Sequence, residues 1–162
     1  MKLNRTLFNN KNYVVKEEVD LSKEQFDPYH IRRVEKCEVE VKGKIVEDLL
    51  LLDVVIDAEV IGVCSVSLED VPLKLHIVDD LQITNDKENE NDFIFFEKDN
   101  VFDFNPYILS YIVSEVPLFL IKEGVKLPEG DDKFRVIDED QYEKEKKNKT
   151  DDRWSKLDDI EL

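Results

Sequence analysis

Glycine, cysteine, histidine and tryptophan are scarce in this chain, with four, two, two and one residues. So few glycines leave little material for a phosphate-cradling loop or a dinucleotide fingerprint, and neither motif is present, nor is any nucleophile motif. Cys37 and Cys64 lie far apart, which argues against a disulfide scaffold and against thiolate zinc spacing. His30 and His76 add two more donors, but no pair has ligand-like spacing, so no metal or cofactor is expected. Long apolar runs are also missing, because Asp or Glu interrupts each one. No stretch reads as a signal peptide or membrane span, and the expectation is a soluble cytoplasmic protein.

Positive charge is in short supply too. Lys and Arg number 23 against 39 Asp and Glu, for a formal net charge of −16. Such a chain repels nucleic acid and anionic membrane over most of its surface and attracts basic partners. With 162 residues and 41% hydrophobic residues, it is long and apolar enough for one domain with a real core.

What is present is mainly two-residue alternation. Residues 13–19 read as a first strand. Ser22 followed by Gln25 fits a capping box and predicts a short helix limited by Pro28. Cys37, Val39, Val41 and Ile45 alternate with Glu38, Glu40, Lys42 and Lys44, the pattern of a half-buried strand. Glu47 and Asp48 read as a turn. Residues 50–62 alternate again, so the two segments form a long antiparallel hairpin. Residues 71–83 give a third strand, with Asp79 breaking its apolar face at an expected bulge or bend. Residues 85–92 form an acidic loop, and 93–96 are β-prone. Asn105 and Pro106 are expected as N-cap and first residue of a helix with Ile108, Leu109, Ile112, Val113 and Val116 on its apolar face. Pro117 ends it, and an apolar Leu118–Ile121 run follows.

The expected fold is therefore α+β. It is mainly an antiparallel sheet, open to a barrel-like closure, with short helices. One domain spans 1–137 and a charged tail spans 138–162, where ten acidic residues face six basic ones. In that tail Arg153, Trp154 and Leu157 stand out, because Trp and Arg are enriched where partners bind. The same residues are equally suited to docking on the chain's own sheet. Carboxylates are too abundant for any pair to be read as an acid–base dyad without geometry. Arg32, Arg33 and Lys36 are candidate phosphate contacts, with ordinary surface charge the favoured reading. Cys64 is either a binding thiol or, by the commoner pattern, a small buried hydrophobe, and for Cys37 the buried reading is stronger.

The segment Cys64-Ser65-Val66-Ser67-Leu68-Glu69-Asp70-Val71 resembles the Cys-x-x-Cys-Leu-x-x-Val segment of the bacterial YceD family. The acidic loop, Val116-Pro117-Leu118 and a C-terminal Asp151-Asp152-Arg153 followed by Leu157 come in the family's order. Two departures stand out: Ser67 occupies the second cysteine position, and residues 119–134 carry no cysteine, so a family metal site is not carried over. The resemblance implies ribosome biogenesis through accumulation of large-subunit ribosomal RNA. The expected role is non-enzymatic binding of a basic ribosomal protein or precursor RNA, with Cys64, Leu68, Arg153, Trp154 and Leu157 at the contact. Two other classes stay open: an enzyme built from carboxylates and a thiol, and a structural module that dimerises through a strand edge.

Overall fold

The computed structural model describes residues 1–9, 13–127, 137, 142–144 and 146. The chain divides into two units, Met1–Lys122 and Glu123–Leu162, and the architecture below belongs to the first.

Its strands are β1 (Lys2–Asn4), β2 (Tyr13–Glu18), β3 (Ile31–Val46), β4 (Leu49–Val63), β5 (Asp70–Thr84), β6 (Ile94–Phe96) and β7 (Val101–Asp103), followed by helix α1 (Asn105–Glu115). Five of them form one open sheet in the order β2-β3-β4-β5-β6, and β1 pairs with β7 in a separate ribbon. The sheet is not closed into a barrel. All its neighbours are antiparallel except β5 and β6, which run parallel.

The alternation in the sequence sets the layers. Cys37, Val39 and Val41 of β3, Leu50 to Val60 at every second position of β4, and Ile77, Leu81 and Ile83 of β5 are buried. They form one cluster with Leu3, Phe8, Phe102, Phe104, Ile108, Ile112 and Val116. The intervening charged residues make the opposite, solvent face. Val46 pairs with Leu49, so Glu47 and Asp48 close a two-residue turn. Glu47 takes the left-handed conformation there (φ 55°), as a turn of this length demands.

Several local expectations are corrected. Residues 21–27 form no helix; instead Ser22 N–H donates to Asp20 Oδ1 (2.9 Å), a side-chain turn that competes with the capping box. β3 starts at Ile31, ahead of the alternating stretch. Register shifts between Ile31 and Arg33 and between Val34 and Lys36 break the two-residue period there. Asp79 sits at no bulge, because the β4–β5 register runs unbroken past its partner Val54. Asn105 is the first helical residue rather than the cap. The acceptor for its N–H is Asp103 Oδ1 (3.0 Å), and its own side chain accepts from the Met1 amino group (2.5 Å). Val113 is largely exposed, while Ile108, Ile112 and Val116 are buried as expected.

Candidate functional site

The turn between β4 and β5 gathers the chemistry that the sequence singled out. Cys64 N–H donates to Glu69 O (2.9 Å) and Leu68 N–H donates to Cys64 O (2.9 Å), closing a tight loop. Leu68 adopts a left-handed conformation (φ 59°), which an L-residue tolerates poorly without such support. Arg32 Nη2 donates to the Leu68 carbonyl (3.3 Å).

This loop grips a distant stretch of chain. Ser65 N–H donates to Leu120 O (2.7 Å), and Leu120 N–H returns a bond to Ser65 Oγ (3.2 Å). Lys122 N–H donates to Cys64 Sγ (3.4 Å), and so does Ser67 N–H (3.4 Å). Lys122 Nζ reaches Glu69 Oε2 (3.2 Å), which also accepts from Ser67 Oγ (3.3 Å). Leu120 lies over Gly62: a Cβ built on that glycine would come within 2.7 Å of Leu120 Cδ2. A side chain at position 62 would therefore have to displace the end of Leu120.

The sulfur is shielded from water, yet its pKa is lowered from 9.0 to about 6. The Lys122 N–H is the chief cause and the Ser67 donors follow; lost hydration opposes them. That opposition is outweighed by the donors. Cys37 shows the contrary case, a thiol within the apolar core pushed up to about 11 by burial.

The same end of the unit presents apolar groups to solvent. Phe119 is 85% exposed and Leu118 80%, with Ile121, Leu68 and Val66 also exposed. Residues 118–121 are legible in the sequence only as apolar, since so short a run carries no period that would assign a face. The candidate phosphate contacts are already engaged: Arg32 and Arg33 with Asp70 (3.6 and 3.5 Å), Arg33 with Glu35 (2.8 Å) and Lys36 with Glu38 (2.5 Å). His76 is an exposed residue of the solvent face beside Asp57 (2.7 Å). The His30 ring nitrogen Nε2 lies 3.1 Å from Val116 O, helping to seat the chain after α1. Among the described residues no three His, Cys, Asp or Glu side chains cluster as metal ligands. No helix among them is long and apolar enough to cross a membrane.

Of the five residues expected at a contact, Cys64 and Leu68 share this turn. Arg153, Trp154 and Leu157 lie outside the described residues. A family model described as large ribosomal RNA subunit accumulation protein YceD matches residues 52–161, more than half of the chain. No curated protein and no solved structure matches.

Proposed function

Because the chain belongs to the YceD family, described by large ribosomal RNA subunit accumulation, we propose that it supports large-subunit ribosomal RNA by binding a basic assembly partner. The family match is the observation that carries this reading. Two features support a protein partner rather than direct RNA contact. The net charge of −16 opposes a phosphate backbone, and Arg32, Arg33 and Lys36 are committed to neighbouring carboxylates. The exposed Leu118 and Phe119 beside the Cys64 turn supply the apolar contact such a partner needs.

Depleting the protein from the cells that make it should lower large-subunit relative to small-subunit ribosomal RNA. Crosslinking should recover a basic large-subunit protein. An unchanged RNA ratio after complete depletion would remove the proposal.

The lowered pKa of Cys64 favours a second reading, a thiol-dependent enzyme. Against it, Glu69, the carboxylate hydrogen-bonded within the turn, is occupied by Lys122 and Ser67. A concavity of about 430 Å³ opens elsewhere, on the solvent face beside Lys42, Lys44, Asp53 and Asp80. Full complementation of the depleted cells by Cys64→Ala would end the enzymatic reading.

A further inference from the structure

Backbone parity leaves one long row of hydrogen-bonding groups free. β5 has 15 residues, but β6 pairs only with Gln82, Ile83 and Thr84. In an antiparallel ladder, every second residue pair exchanges its N–H and C=O bonds. Cys64 N–H donates to Glu69 O, which puts that pair in the bonded set. The register then adds Gly62 with Val71, Val60 with Leu73, Ala58 with Leu75, and so on to Val54 with Asp79. The backbone groups of Asp70, Pro72, Lys74, His76, Val78 and Asp80 therefore point away from β4, and of these the Asp80 N–H is already met by Asp79 Oδ1 (2.8 Å). Pro72, which has no N–H to offer, falls in this outward set, as a proline at a sheet edge should. Thr84 does too, and its carbonyl accepts from Glu97 N–H (2.9 Å) on the β6 side. Among the described residues no strand covers the stretch from Asp70 to Leu81.

The side chains along this edge narrow what it accepts. Leu73 and Leu75 are half-buried on the core side and would be covered by an added strand. Val78 is 67% exposed on the solvent side. Lys74 and His76 are matched by Glu59 and Asp57 (3.6 and 2.7 Å). Asp79 and Asp80 form no ion pair among the described residues, while Asp53, opposite Asp80, has Lys42 across from it on β3. Only an extended polypeptide carries donors and acceptors at the ladder spacing, so nucleic acid does not fit.

We propose that the free edge of β5, from Asp70 to Asp80, takes an added strand from a basic polypeptide with apolar residues at every second position. The inference rests on the function proposed above and names the surface and the chemistry of its partner. A second copy of this chain fits less well. In the antiparallel register centred on Leu75, Asp70 faces Asp80, and like charges directly opposite destabilise a pair. The other edge, β2, is shorter, with 6 residues, and lies outside the family match, whereas β5 lies within it.

The test uses the full chain and a capped peptide alternating lysine and valine, about ten residues long to span the edge at roughly 3.3 Å per residue. Amide hydrogen exchange should slow at least about tenfold at Lys74, His76 and Val78 when the peptide is added. A peptide N-methylated at alternate residues should protect none of them. Val78→Pro should abolish binding while leaving the β4 ladder intact, since the Val78 N–H faces outward. Should that variant unfold, Asp79→Asn with Asp80→Asn should still weaken binding about tenfold and reduce its salt dependence. No binding, protection at Lys16 and Glu18 of β2 instead, or self-association protecting the β5 amides without peptide would each overturn the proposal. So would equal binding by Val78→Pro.

Capture of purified large ribosomal subunits separates the two claims. Loss of capture in Val78→Pro supports both. Edge binding of the peptide with no capture by the natural chain defeats the proposed function alone, and equal capture by Val78→Pro defeats the edge alone.

Discussion

The turn at Glu47–Asp48 and the turn at Cys64–Glu69 lie at opposite ends of β4, and each is held by a segment far away in sequence. At the first, Arg5 is almost wholly buried; its Nη2 donates to Asp48 O (2.5 Å) and its Nη1 to Ile83 O (3.3 Å). Around it Phe8 is fully enclosed, and Phe8 meets Tyr13 edge to face (5.5 Å). A Cβ built on Gly43 would come within 2.9 Å of Phe8 Cδ1, so the packing there is tight. At the second turn the holding groups are backbone N–H donors to a sulfur, and the segment they hold leaves Leu118 and Phe119 in water. Burying a side chain of that kind contributes about 1.5–3 kcal/mol. Two foregone burials are a sizeable share of the roughly 5–15 kcal/mol that stabilises a domain. One end is closely packed, and the other leaves apolar side chains in water.

Removing the aromatic from the closed end should have the largest effect. Phe8→Ala should cost about 3–5 kcal/mol in urea unfolding, from lost burial plus the cavity left behind. A loss below about 1 kcal/mol would mean that the two ends do not differ in packing. Arg5→Ala should come next, at about 1.5–3 kcal/mol, because a buried carbonyl (Ile83) and a partly buried one (Asp48) lose a charged donor. Arg5→Lys should recover only part of that, since an ammonium lacks the fork that reaches both carbonyls. Full recovery with lysine would show that charge, not fork geometry, closes this turn.

The contrast between the ends also explains what could be read from sequence. Residues 37–45 and 50–62 alternate because one face of each strand is buried, and 71–83 follow the same period except at Asp79, so the hairpin and its turn were legible. The open end was legible only in part. Cys64 and Leu68 were singled out by a short motif, but the donor to the sulfur lies 58 residues further on, and no local pattern reports a contact of that separation. At the closed end the Glu47–Asp48 turn was legible, but the residues that hold it were not. Arg5 and Phe8 sit on a single 3₁₀ turn, Arg5–Phe8, too short to show a period and flanked by asparagines. The short strands β1 and β7 are equally silent, since three residues cannot establish alternation.

Protonation bears on the open end as well. The folded-state pKa of Cys64 is about 6 against an ordinary 9.0. Between these values the unfolded chain binds the proton and the folded chain does not, so stability rises with pH across that window. The contribution is complete above pH 9.0 and is lost as pH falls through about 6. Relative to Cys64→Ala, the natural chain should therefore gain thermal stability from pH 6 towards pH 9. Thiolate ultraviolet absorbance of the folded chain should titrate near 6, clearly below the Cys37 thiol at about 11. A constant difference between natural and variant chains across this range would show that the N–H donors do not favour the thiolate.

The smallest effect on folding should come from the most exposed residues. Leu118→Ser and Phe119→Ser remove side chains that are already in water, so unfolding free energy should stay within about 0.5 kcal/mol of the natural chain. If these side chains serve only as surface, subunit capture should also be unchanged. If they are the apolar half of a contact, capture should fall several-fold while stability holds, the signature of a residue that acts at an interface. The reverse pattern, lost stability with capture intact, would mean that the open end is a core like the other, and the distinction between the two turns would disappear.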